Sequence, residues 1–433
     1  MRKNIKFSAS LLFSSIAMNS QALSGMVIKF CAIGIAFVAS LVYARALGAE
    51  EYGYYALVLS WMLLIQLVCG LGLNEYLVRE TARQGSTFAC HSLLHWAQKK
   101  VVLVFFLVVP LIIIFINVIS LSEPYITLVP VALSLPFLNC LTGLRVAVLR
   151  AKGEMFKAQI TQFLLAPVIM IFLLLFLWIL LGGLNAFTVL YSMIISGVLA
   201  FVFSDLSCRK VVTYSKLEIV QGKVRDAIPF MLLSGIYFLN TRVDQIVIGF
   251  YLNSESVGIY AISARVAEVV SFAALGFDFV LAPKVARLWK GGDHLLLQKI
   301  IRSSSRWVCV LAFVLSFPFL LFSEQIIGMA FGEEFVLGAS VLIWLIVGHL
   351  LRFLCGPGAL ILNMADYPGL TGRVLFAGAV LNLVLNFILI PVYGVEGAAI
   401  ATALSAFVVS LTTAALVKLK LKLYSTPFFI QVR

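Results

Sequence analysis

The sequence predicts an all-α integral membrane protein of twelve transmembrane helices in two six-helix lobes, with both termini cytoplasmic. Three observations predict it: a composition too apolar for water, a strict alternation of basic and acidic loops, and a register of short internal echoes. Of 433 residues, 62% are hydrophobic and only 12% charged, whereas soluble chains are roughly half apolar. Runs of about 20 apolar residues cross a bilayer. Twelve such runs read from the chain, over 21–43, 55–73, 101–119, 129–148, 163–181, 186–203, 228–251, 257–282, 308–327, 336–354, 374–390 and 398–416.

The loops between these runs set the orientation. Arg79, Arg83, Lys99 and Lys100 fill one loop, Arg150, Lys152 and Lys157 the next but one, then Arg209, Lys210, Lys216, Lys223 and Arg225, then Lys284, Arg287, Lys290, Lys299, Arg302 and Arg306. The intervening loops are short and carry Glu50, Glu51, Glu123, Glu255, Glu324, Glu333, Glu334 and Glu396. Lys and Arg mark the cytoplasmic side, so the formal charge of +13 is a topology signal and not a nucleic-acid footprint. The opening "MRKNIKFSASLLFSSIAMNSQA" has the basic start and short apolar stretch of a secretory signal. Because the first span follows at once, it is read as an amphipathic lead-in. The cysteines, seven and unclustered, predict no structural disulfide.

Repeats come next. "LGAEEYGYYA" (Leu47 to Ala56) is echoed by "LNSESVGIYA" (Leu252 to Ala261) at an offset of 205. "LRAKGEM" from Leu149 is echoed by "LNMADYP" from Leu362, and "GLNA" from Gly183 by "GVEG" from Gly394, at offsets of 213 and 211. Three echoes in near register predict parallel repeats: an N-terminal lobe 1–207, a basic cytoplasmic linker 208–226 and a C-terminal lobe 227–433. In transporters built this way the substrate site lies near the midplane at the repeat interface.

Charges inside spans are costly, about 2.5–3.5 kcal/mol each on insertion scales, and so mark function. Lys29, Arg145, Arg242, Arg265 and Arg352 form the cationic set, with Arg45 as an interfacial anchor. Arg145 lies five residues before Arg150, which leaves it within reach of headgroups. The acids within spans are Asp244, Glu268 and Asp278. Glu268 follows Arg265 by three residues, so a structural intrahelical pair competes with a functional reading. Arg242 and Asp244 stand about 160° apart on one helix and cannot meet. Asp244 continues a polar stripe, Ser234, Tyr237, Thr241, and further stripes read as Asn139, Thr142, Arg145 and as Gln66, Gly70, Asn74. Such faces turn toward protein or water. Together they predict a cationic, water-filled chamber for an anion.

Other residues read as structural. His91 and His95 have helical metal spacing without a carboxylate partner, and His349 reads as a packed histidine. Asn382 and Asn386 predict interhelical hydrogen bonds. Pro110, Pro136, Pro167 and Pro318 predict kinks. No metal constellation, phosphate loop or nucleophile motif is present, which argues against ATP hydrolysis by this chain.

"ARALGAEEYGYYAL", "LGLNEYLVRE", "RVDQIVIGFYLNSESVGIYAI", "FGEEF" and "LNLVLNFILIPVYGVEGAAIATALS" resemble the polysaccharide-transport branch of the multidrug/oligosaccharidyl-lipid/polysaccharide (MOP) exporter superfamily, most nearly its Wzx-type O-antigen flippases. The resemblance implies a non-enzymatic flippase of the bacterial inner membrane. It would move undecaprenyl-diphosphate-linked oligosaccharide to the periplasmic leaflet by alternating access, beside a polymerase and chain-length regulator of the same pathway. On that reading Lys29, Arg145, Arg242, Arg265 and Arg352 contact the headgroup. Asp244, Glu268 and Asp278 are candidates for coupling to H+ or Na+, with no other cofactor. The rivals are a multidrug exporter of the same superfamily, whose usual cargo is cationic, and an O-antigen polymerase or ligase, whose large external loop has no counterpart here.

Overall fold

The computed structural model describes residues 20–84, 87–119, 125–181, 183–211 and 222–428. The lead-in before residue 20 and most of the basic linker, 212–221, lie outside the described residues. The chain forms two compact units that divide between Phe238 and Leu239, and every regular element described is helical.

The first unit contains α1 (Ser20–Gly70), α2 (Leu73–Gln84), α3 (Thr87–Ile119), α4 (Tyr125–Ala132), α5 (Ser134–Ala151), α6 (Met155–Gln159), α7 (Ala166–Leu181) and α8 (Ala186–Arg209). Its core runs through Cys69, Leu73, Leu77, Leu93, Ala97 and Leu144, each at most 1% exposed. Between α6 and α7 the chain widens into a π-helical turn, Ile160–Leu165. Pro167 follows two residues on, and the wider turn relieves the clash of its ring with the carbonyl four residues back. Helix α8 starts from a capping box in which Asn185 Oδ1 accepts from Thr188 N at 2.9 Å. Glu51 caps the same end from α1, accepting from Ala186 N at 2.8 Å, which suits a carboxylate at a helix N-terminus.

Helix α9 (Ile228–Tyr251) contains the division between units; after it come α10 (Ser254–Lys290), α11 (His294–Leu321), α12 (Ser323–Phe331), α13 (Gly338–Cys355), α14 (Gly358–Met364) and α15 (Pro368–Leu416). In the second unit glycines let helices approach closely. A Cβ on Gly348 of α13 would lie 2.7 Å from the Ala403 Cα on α15. The chain end then folds back: Gln298 exchanges two hydrogen bonds with the Tyr424 backbone at 2.8 and 2.7 Å, and Ser305 Oγ donates to Ser425 O at 2.9 Å. Leu421 and Leu423 thereby join a core with Leu281, Leu297 and Ile361.

Among the described residues nine helices are long and apolar enough to cross a membrane. Two are far longer than one crossing. The 41-residue stretch Phe30–Gly70 and the 54-residue stretch Pro368–Leu421 extend about 60 and 80 Å at 1.5 Å per residue, against a hydrocarbon core of about 30 Å. Each holds one non-helical glycine, Gly48 at φ 74°, ψ 176° and Gly394 at φ 58°, ψ −137°. Both glycines lie in the sequence echoes. Helix α9, which carries Arg242 and Asp244, is not among the nine because its polar residues dilute its apolar character.

The second echo is also a structural one. Glu154 N donates to Leu149 O and Tyr367 N to Leu362 O, each at 2.9 Å. Gly153 and Asp366, the residues before those donors, both take positive φ, 82° and 68°. These are the six-to-one bonds and left-handed residue of a Schellman helix end, and they coincide at the offset of 213 residues read from the sequence.

Candidate functional site

Asp244 is the most deeply set carboxylate among the predicted coupling residues, 5% exposed. Its setting is built by three helices of the second unit. From α10, Tyr260 Oη donates to Oδ2 at 2.6 Å; from α15, beyond the Gly394 break, Thr402 Oγ1 donates to the same oxygen at 2.8 Å. From the other arm of α15, Asn386 Nδ2 donates to Oδ1 at 2.6 Å. Asn382, one turn earlier, places its Nδ2 3.3 Å from both Thr402 Oγ1 and Ser405 Oγ. All these partners are neutral, and among the described residues no cation lies within ion-pair distance of Asp244.

Asn386 is over-subscribed on one side and empty on the other. Its nitrogen has two hydrogens but three acceptors in reach, Asp244 Oδ1, Asn382 O and Asn382 Oδ1, the last two at 3.0 and 3.1 Å. Its Oδ1 is buried without any partner. An orphaned buried acceptor is uncommon and calls for an explanation. Because the Asn386 nitrogen faces Asp244 Oδ1 and Asn382 Oδ1, its orphaned oxygen lies on the far side of the amide from them.

The other predicted residues have separate settings. Arg242, two residues before Asp244, is half-buried on α9. Arg265 Nη1 pairs with Glu268 Oε2 at 3.0 Å on the exposed side of α10, which is the intrahelical pair the spacing predicts. Asp278 and Arg352 face one small cavity of about 50 Å³ that Ala274, Phe277, Ser305 and Gly356 also line. Beside it His349 lies 3.3 Å from Ser271 Oγ and stacks on Phe353. Lys29 lies on α1, and its side chain is outside the described residues.

Arg145 is engaged within the first unit. Its Nε donates to Asp205 Oδ1 at 2.8 Å, its Nη1 to Leu141 O at 2.9 Å, and its guanidinium sits 4.3 Å from the centre of the Phe201 ring. Asp205 also pairs with Arg209 at 2.7 Å. Side-chain exposures of 10% and 16% for Arg145 and Asp205 make this a buried pair of the first unit. Asp205 falls just beyond the apolar run 186–203, so hydropathy alone does not reveal it. Tyr260 appears in the sequence only as part of an echo, and Thr402 carries no signal there.

This helical arrangement is that of a multispan membrane protein. It shares its fold with "Lipid II flippase MurJ, inward closed conformation", at a TM-score of 0.75 and 14% identity over 91% of this chain and 87% of that one. It is also similar to an inward-facing multidrug resistance MATE family transporter of the MOP superfamily, at 0.65 and 14% over 94% and 96%. Residues 20–289 match the family described as "Polysaccharide biosynthesis protein", more than half of the chain, and the chain belongs to that family. Its curated relatives include the "Probable low-salt glycan biosynthesis flippase Agl15" of Haloferax volcanii, 29% identical over 236 residues; the match spans 52% of this chain and about half, 48%, of the relative. These relatives and structural neighbours are flippases and transporters, not enzymes.

Proposed function

We propose that this protein is a cation-coupled flippase for a lipid-linked oligosaccharide, with Asp244 as its coupling site. The observation that carries the proposal is a dry carboxylate, ringed by neutral oxygens and amides, inside a chain of the polysaccharide biosynthesis family. An intramembrane ionisable residue of this kind marks an ion or proton pathway. H+ or Na+ at the Asp244 oxygens fills the place of the missing positive charge.

The chain crosses the membrane twelve times in this proposal. Gly48 and Gly394 divide the two over-long helices, and α9 is the remaining crossing. The lobes are 1–207 and 227–433, joined by the cytoplasmic linker 208–226, and both termini are cytoplasmic, as the basic loops imply. Lys29, Arg242, Arg265 and Arg352 neutralise the diphosphate as the lobes reorient. Glu268 and Asp278 are secondary candidates for coupling. The cargo is a glycan on a polyprenyl diphosphate. The motif resemblance narrows it to an undecaprenyl-linked O-antigen unit at a bacterial inner membrane, delivered to a polymerase and chain-length regulator. The archaeal relative favours other lipid-linked glycans as well.

The test is deletion of the gene in its host, with lipid-linked oligosaccharide assayed in each leaflet. Retention on the cytoplasmic face, reversed by the intact gene and not by D244N, is the expected result. Normal surface polysaccharide in a deletion strain lacking any redundant exporter overturns the proposal.

A further inference from the structure

A second polar feature lies in the first unit, and the inference from it rests on the flippase reading and deepens it. Gln66 on α1 and Asn139 on α5 both lie within membrane-crossing stretches. Asn139 Nδ2 donates to Gln66 Oε1 at 3.3 Å. One turn along α5, Gly143 leaves room for another amide: a Cβ there would lie 2.7 Å from Asn74 Nδ2. Two turns further, Arg150 Nη1 meets Glu75 Oε1 at 3.3 Å. Positions 139, 143, 146 and 150 recur at helical spacing on one face, so these contacts follow one line over about 16 Å.

The amides along this line are under-used. Asn139 is exposed, and Gln66 and Asn74 are half-buried. Among the described residues Gln66 Nε2, Asn139 Oδ1 and both ends of the Asn74 amide make no hydrogen bond to protein. A purely structural pair of amides is expected to be buried with its groups matched. Open donors and acceptors on a membrane-crossing helix pair are tolerated only beside water. A primary amide offers two donors and an acceptor, the complement of a sugar hydroxyl, which both donates and accepts. Being neutral, it leaves the diphosphate to the cationic residues.

We propose that Gln66, Asn74 and Asn139 form a track that hydrogen-bonds the sugar hydroxyls of the lipid-linked cargo and sets preference for the glycan over the bare lipid diphosphate. The track starts within the membrane and runs along α5 to the Arg150–Glu75 pair.

The test compares binding of two synthetic probes to the full-length protein in lipid nanodiscs: undecaprenyl diphosphate, and undecaprenyl diphosphate bearing N-acetylglucosamine. The wild type binds the sugar-bearing probe about tenfold more tightly, the effect of one or two neutral hydrogen bonds. In the Q66L/N139L variant that preference falls to about twofold or less, while affinity for the bare diphosphate is unchanged. Should that variant not fold, N74A, whose amide holds no protein partner, is expected to lower the preference about threefold. A preference that survives substitution, or a wild type that shows none, overturns the track. A wild type that binds neither probe overturns the flippase reading itself.

Discussion

Replacing Asp244 with alanine removes one acceptor shared by three donors. The consequences can be worked from the distances. Tyr260 Oη and Thr402 Oγ1 are 3.3 Å apart and are able to bond each other once the carboxylate is gone. Asn386 keeps the Asn382 carbonyl and side-chain oxygens, at 3.0 and 3.1 Å. About one buried donor is therefore stranded, a loss of about 1–3 kcal/mol. That is the cation-independent part. A cation that binds the folded state at 100 times its dissociation constant adds about 2.7 kcal/mol of stability, and the alanine variant forfeits all of it. The assay is thermal unfolding of the purified protein, with Na+ exchanged for choline at constant ionic strength and, separately, with pH varied. The wild-type midpoint responds to Na+, or varies with pH more steeply than the D244A midpoint, and the D244A midpoint is lower and does not respond to Na+. An alanine variant whose midpoint tracks Na+ and pH as the wild type does refutes the reasoning.

Four further substitutions test the packing within the two units. R145L breaks a buried pair but leaves Asp205 with Arg209, so it costs about 3 kcal/mol in chemical denaturation, the lower end for such pairs, and R145L/D205L recovers most of that loss. G48A forces a side chain into a backbone region nearly reserved for glycine (φ 74°, ψ 176°) and lowers stability by about 1–3 kcal/mol. By contrast G34A, whose Cβ meets nothing within 4 Å, is neutral or gains up to about 1 kcal/mol of helix propensity. G348A drives a methyl into the Ala403 backbone and costs about 1–3 kcal/mol by overpacking, read as an earlier thermal midpoint.

Where the physics is local, the sequence is legible. The Arg265–Glu268 pair forms at three-residue spacing, whereas Gln66 and Asn74, read as one helical stripe, lie on separate helices because the chain turns at Leu71 and Gly72, both at positive φ. The Schellman turns at Gly153 and Asp366 sit where the echoes coincide. Contacts set by tertiary packing are not legible. Asp244 meets Tyr260 and Thr402 only because α9, α10 and α15 converge, and nothing in the local pattern marks Thr402. Spacing alone does not reveal the partner of Arg145, because its counter-charge Asp205 comes 60 residues later, past the end of an apolar run. Hydropathy also trims helices to their greasy part. Helix α11 begins at His294, well before the apolar run from Val308, because Lys299, Arg302 and Arg306 are good helix formers that hydropathy discounts.

The central claim is movement of a lipid-linked glycan across the bilayer, and reconstitution measures it directly. The protein is placed in sealed proteoliposomes with a fluorescent undecaprenyl-diphosphate-linked sugar, and the fraction accessible to an external membrane-impermeant quencher is followed after a cation gradient is imposed. Wild type is expected to exchange the probe between leaflets, faster with the gradient than without it, and D244N to lose that acceleration. Leaflet exchange no faster than in protein-free vesicles, under any gradient, contradicts the account.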